Sequence, residues 1–132
     1  MERNNEIEVA KKLIEILREK GFQINKYYAK TTKSIYLKLD YGVCCGIRIS
    51  DHNGKKKYKY KFNMLKEYNG PKQKNDKGYI RLFYDYSNTD ELVNDVQNEK
   101  KSKINKYGLS NYHEYMKINS QDNLYKTFKN VA

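Results

Sequence analysis

The chain has 132 residues, enough for one domain with one modest hydrophobic core and too few to expect two. Its 27 basic side chains outweigh 16 acidic ones for a net charge of +11, which excludes a mimic of nucleic acid and asks for an anionic partner. No apolar run approaches the roughly 18 residues of a membrane span, and no charged-then-apolar leader opens the chain, so a reducing cytosol and no membrane partner are expected.

An AT-rich coding sequence also produces Lys, Asn, Tyr and Ile in excess, and the absence of Trp and the single Pro fit that bias. The 14 tyrosines are therefore not in themselves a binding signature. Charge placement says more than charge total. Residues 1–53 carry +3 and residues 82–132 carry zero, while residues 54–81, with ten basic and two acidic side chains, carry +8. Compositional bias would spread the lysines; this stretch concentrates them.

Glu6 to Lys20 places Ile7, Ala10, Leu13, Ile14 and Leu17 on one helical face, and Gly21 stands where a helix stop belongs. Phe22 to Lys30 reads as a first strand whose alternation breaks at Tyr27 and Tyr28, followed by a turn at Thr31 to Lys33. Ser34 to Asp40 alternates with Ile35, Leu37 and Leu39 inward. Val43 to Ser50 does so with Val43, Cys45, Ile47 and Ile49, and Lys57 to Met64 with Tyr58, Tyr60, Phe62 and Met64.

Register follows from keeping inward residues opposite one another. A two-residue turn at Asn53-Gly54 sets Ile49 against Tyr58 and Ile47 against Tyr60. A three-residue loop Asp40-Tyr41-Gly42 sets Leu39 against Val43, Leu37 against Cys45 and Ile35 against Ile47, with Gly42 as a left-handed bulge. On that basis Cys45 is buried and Cys44 faces solvent. Adjacent residues on a strand point to opposite faces, so the two cysteines do not bridge.

Leu65 to Lys77 reads as a polar loop, and Gly78 to Tyr86 as a strand with Ile80, Leu82 and Tyr84 on one side and Tyr79, Arg81 and Phe83 on the other. Asn88 and Glu91 resemble a capping box for a helix ending at Gly108, with a thin stripe of Leu92, Val93, Val96 and Ile104. Ser110 and Ser120 are placed to cap two short helices, the second bearing Leu124, Phe128 and Val131. The expectation is one α+β domain over residues 1–132: helix 6–20, an antiparallel meander of four to five strands over 22–86, and helices over 88–131.

The outward residues of this meander form a basic strip. Ser34, Arg48 and Lys59 line up across three strands, Tyr36 lies over Gly46 with Lys61 alongside, and Ser50 faces Lys57. Like charges opposite one another on a sheet cost a few tenths to about 1 kcal/mol, so Arg48 against Lys59 asks for an anion. Candidate contacts to a partner or to nucleic acid are Tyr36, Lys38, Arg48, Ser50, Asp51, His52, Lys55, Lys57, Lys59, Lys61 and Arg81. The plain alternative is a solvated face whose lysines protect strands from aggregation.

Ser50-Asp51-His52 offers a catalytic relay on paper, but successive strand residues alternate faces, and an Asp before Asn-Gly belongs to a turn, here opposite Lys56. His113, beside Tyr112 on a helix, is expected as partly buried packing. A metal-dependent nuclease would need acids converging near a lysine; Asp40, Asp51 and Asp85 are the strand-associated ones, with Asp40 outward and Asp51 inward. Two Cys and two His lack zinc spacing, and no phosphate-binding glycine loop or nucleophile elbow is present. No catalytic group, metal or cofactor is assigned.

Ser34-Ile35-Tyr36, the run Ile47-Arg48-Ile49-Ser50-Asp51-His52 and the Lys/Tyr-rich strand after it resemble a hairpin shared by small proteins of Firmicutes phages and mobile elements, among them type II-A anti-CRISPR inhibitors of Cas9. The likeness spans about the central third of the chain. The long basic N-terminal arm of that inhibitor group is missing here, and the helical C-terminal part is longer. The resemblance implies a non-enzymatic inhibitor of a CRISPR-Cas ribonucleoprotein, of Cas9 type, using Tyr36, Arg48, Ser50, Asp51 and His52. Composition and pattern alone leave a general RNA- or DNA-binding module as the alternative, and a nuclease as a third.

Overall fold

The computed structural model describes residues 3–29, 34–50, 56–63, 79–122 and 129–130. Helix α1 runs Arg3–Glu19 and is followed by strands β1 (Ile24–Tyr28), β2 (Ile35–Leu39), β3 (Gly46–Ser50), β4 (Lys57–Asn63) and β5 (Tyr79–Asp85). A short 3-10 turn (Tyr86–Asn88) leads into α2 (Thr89–Tyr107) and α3 (Leu109–Ser120), and a two-residue strand, β6 (Lys129–Asn130), follows. The architecture is α+β.

The strands form one antiparallel sheet in the order β5-β4-β3-β2-β1-β6, a plain meander with β6 added beside β1. One face carries the core. Ile24, Ile35, Leu37, Leu39, Ile47, Ile49, Tyr58, Tyr60 and Tyr84 pack against Ala10, Leu13, Ile14 and Leu17 of α1 and Leu92, Val93 and Val96 of α2. A core this rich in tyrosine is tolerable because each buried ring finds a partner for its hydroxyl. Tyr58 pairs with Thr89 at 2.7 Å, Tyr60 donates to the Cys44 carbonyl at 3.1 Å and Tyr84 donates to Asp95 at 2.7 Å.

Helix α1 ends as its glycine predicts. Gly21, at φ +92°, donates to the Arg18 carbonyl while Phe22 donates to that of Leu17, a paired closure that satisfies the last carbonyls. Gly108 ends α2 in the same spirit at φ +90°. The capping box expected at Asn88 does not form: no side chain caps α2, and Thr89 Oγ1 instead donates to the Tyr86 carbonyl at 2.9 Å, tying the 3-10 turn to the helix. Ser110 lies inside α3, whose N-cap is Gly108.

The β3–β4 register is the expected one, with Ile49 opposite Tyr58 and Ile47 opposite Tyr60. The β2–β3 register is not: Ile35 meets Ile49 and Leu37 meets Ile47, two residues away from the three-residue-loop prediction. Parity is preserved along the paired residues of β2 and β3, which keep their faces, while the loop between them does not. The cause lies in the loop, where Asp40, Tyr41, Gly42 and Cys45 all take left-handed φ and Leu39 N–H closes onto the Cys45 carbonyl at 2.8 Å. Cys44 is thereby turned into the core at 0 % exposure, where solvent exposure was expected, and Cys45 is buried too, at 8 %.

Asp40, expected outward, is fully buried as well. Its Oδ1 accepts from the Gln23 N–H at 2.9 Å, and its Oδ2 accepts from the Tyr112 hydroxyl at 2.5 Å and pairs with Lys100 at 3.0 Å. Lys100 also donates to the Gly21 carbonyl at 3.1 Å and lies 4.4 Å from the Phe22 ring centre, so one ammonium joins α2 to the end of α1 and the end of β2. The helix expected after Ser120 lies mostly outside the described residues; Lys129 and Asn130, within its span, pair with β1 as strand. The 65–77 loop and the Thr31 to Lys33 turn also lie outside them.

Candidate nucleic-acid interface

Alternation sends every second strand residue to the face away from α1 and α2, and the pairings sort these into rows. One row runs Tyr27, Tyr36, Arg48, Lys59, Phe83 across five strands. The next runs Asn25, Lys38, Gly46, Lys61, Arg81, and a third contains Ser50, Lys57 and Asp85. The register difference changes neighbours: Tyr36, rather than Ser34, stands opposite Arg48, and Lys38 rather than Tyr36 lies over Gly46.

Arg48 is held in place. Its Nε donates to Ser34 Oγ at 2.9 Å on the diagonal, and its guanidinium lies 5.8 Å from the Tyr36 ring centre. Tyr36 in turn packs on Tyr27, ring centres 6.1 Å apart. Lys59 stands directly opposite Arg48, and its amine pKa is lowered, first by burial and then by Arg48, Arg81 and Lys61. Four cations thus press on one another across β3, β4 and β5.

Beside these rows the sheet dips into a hollow of about 490 Å³, lined by Tyr36, Lys38, Arg48, Lys59 and Lys61 from the strands, by Tyr41 and Gly42 from the loop, and by Asn119 and Asp122 near the end of α3. Asn119 Nδ2 donates to the Tyr41 carbonyl at 3.0 Å, which fixes the helix end against the loop. Gly46 forms part of the wall for a steric reason: a Cβ there would sit 2.7 Å from the Leu37 carbonyl oxygen. Among the described lining residues Asp122 is the one acid.

Of the sequence-predicted contacts, Tyr36, Lys38, Arg48, Lys59 and Lys61 converge on this hollow. Arg81 lies next to Lys61 on β5, and Ser50 sits in the outer row with Lys57. Lys57 is already engaged, pairing with Asp85 at 2.5 Å. Asp51, His52 and Lys55 lie outside the described residues. His113 is exposed rather than partly buried.

Phe83, 64 % exposed, was missed as a surface contact although its alternation with Arg81 put it on this face. Nothing in the sequence pointed to Asn119 or Asp122, which reach the hollow through the chain's tertiary course. Of the three acids weighed for a nuclease, Asp40 is buried in the core, Asp85 is paired with Lys57 and Asp51 lies outside the described residues. Among the described residues no three His, Cys, Asp or Glu side chains gather as a metal site. No helix among them is long and apolar enough to cross a membrane. The chain matches no protein-family model, no curated protein and no solved structure.

Proposed function

We propose that the chain is a non-enzymatic inhibitor that binds a nucleic-acid-bearing partner through its outer sheet face, the partner being a CRISPR-Cas ribonucleoprotein of the host bacterial cytosol. One observation carries the binding half of this reading: Arg48 opposite Lys59, with Lys61 and Arg81 close enough to depress the Lys59 amine. An arrangement that costs stability in the free protein is repaid by phosphates, whose contacts release counterions. The partner's identity is supported by the hairpin resemblance of Ile47 to His52 and by the Cas9-type inhibitors that share it.

Capture of a guide-loaded Cas9-type effector on the immobilised chain, with and without nuclease treatment, tests the proposal. Binding is expected to depend on the RNA and to be lost in a folded Arg48→Gln, Lys59→Gln, Lys61→Gln variant. Undiminished capture by that variant refutes the surface. Equal affinity for the effector and for any free polynucleotide would favour a general nucleic-acid module, and magnesium-dependent cleavage by the purified chain would overturn the non-enzymatic reading.

A further inference from the structure

In their row, Arg48 and Lys59 are flanked by aromatic rings, Tyr36 on one side and Phe83 on the other. Phe83 is the feature that a solvated basic face does not explain. It is 64 % exposed on β5, the strand at one end of the sheet order, where an apolar ring invites aggregation. From Tyr36 to Phe83 is three interstrand steps, about 14 Å, with the two cations in between.

We infer that this face holds single-stranded RNA, with bases stacked on Tyr36 and Phe83 and phosphates on Arg48 and Lys59. The inference rests on the function proposed above and names the part of the partner that is touched. Stacking needs unpaired bases, because the bases of an A-form duplex are already stacked on one another and its major groove is too deep and narrow to read. Sheets that present rings among cations bind single strands with little regard for sequence, since every base has a π-face. Charge complementarity sets the occupant's sign, and the rings set its form.

The hollow beside the row favours RNA over DNA. Asn119 uses its Nδ2 on the Tyr41 carbonyl, keeping its Oδ1 as an acceptor, and Asp122 adds a carboxylate where a purely phosphate-binding hollow would want none. A ribose 2′-hydroxyl, both donor and acceptor, can use such a mixed wall, and it is what DNA lacks.

Fluorescence anisotropy with the full chain tests this, using a labelled unstructured RNA of about a dozen nucleotides, the DNA of the same sequence and a blunt RNA duplex, across a salt range. The single-stranded RNA is expected to bind most tightly. Phe83→Ser and Phe83→Leu should each weaken it about ten-fold without changing the salt slope, while Phe83→Tyr binds as wild type. Lys59→Gln should weaken it and reduce the slope by about one phosphate. The leucine variant keeps apolar bulk without a π-face, so a loss there is not a folding defect.

Equal binding of the duplex or of DNA, or full affinity in Phe83→Leu, overturns the inference. If the chain ignores free RNA yet captures the guide-loaded effector through Arg48 and Lys59, stacking is refuted and the inhibitor reading survives; if neither binds, both fall.

Discussion

Asp40→Asn is the sharpest structural test, because it changes one oxygen for one nitrogen at the junction of four elements. The wild-type carboxylate is fully buried and takes the Gln23 N–H on one oxygen and the Tyr112 hydroxyl and Lys100 ammonium on the other. Asparagine can still accept from Gln23, but it then turns an amide NH2 toward a hydroxyl and a cation whose side chain is only 20 % exposed. A hydrogen bond to a charged group is worth about 1.5–3 kcal/mol, and breaking a buried ion pair from one side costs about 3–5 kcal/mol. The two contacts share one oxygen and do not add, so a loss of about 3 kcal/mol is expected. With a urea m-value of about 1.5 kcal/mol/M the midpoint falls by about 2 M, at unchanged m. Unfolding followed by circular dichroism and tyrosine fluorescence measures it, and Lys100→Met supplies the double-mutant cycle. A loss under about 1 kcal/mol, with coupling near zero, would show that the cluster does not hold the helices to the sheet.

Lys59→Gln should do the reverse. The folded state depresses this amine's pKa, so its charge is a burden at neutral pH; removing it stabilises the chain by a few tenths to about 1 kcal/mol in thermal or urea unfolding. That gain should shrink toward the ordinary lysine value of 10.5, where the wild-type amine is already shedding its proton in the folded state. Burial pushes the Cys44 thiol up to about 12 from 9.0, and burial likewise raises Tyr60, Tyr112 and Tyr84 above 10.0. The folded state keeps protons that the unfolded chain gives up, so stability is full below pH 9 and falls as pH rises beyond it, as an alkaline series of urea midpoints would reveal. Native Cys44 should also resist iodoacetamide at pH 8 and react once unfolded; rapid native alkylation would contradict its burial. Gly46→Ala puts a methyl 2.7 Å from the Leu37 carbonyl oxygen, which backbone pairing prevents from yielding, and should cost about 1–3 kcal/mol in the same assay.

Much of this architecture was legible because periodicity and parity are strong constraints. Alternation fixed the faces of β2, β3, β4 and β5, and the β3–β4 register expected from a two-residue loop is the one observed, to the residue. The β2–β3 register was misread because parity determines pairing only modulo two residues, and the deciding facts are tertiary. Asp40 and Cys44 are drawn inward by Tyr112, Lys100 and Tyr60, partners between 16 and 72 residues away. Local pattern also misled at Asn88, where a capping-box spacing gave way to a 3-10 turn, and at Lys129 and Asn130, where helical spacing conceals a strand. The candidate site follows the same division: its cations were visible as outward strand residues, whereas Asn119 and Asp122 arrive from a helix that local pattern could not position.

The grip of α3 on the 40–45 loop makes the outer hollow and the far helix parts of one equilibrium. Tyr112 holds Asp40 from within and Asn119 holds the Tyr41 carbonyl at the hollow's wall. Whatever fills that hollow therefore stabilises the docked helix by mass action, and whatever loosens the helix lowers the occupant's affinity by the same factor. Slowed amide exchange along α3 on ligand binding, at a distance from the basic strands, would be the signature of that reciprocity.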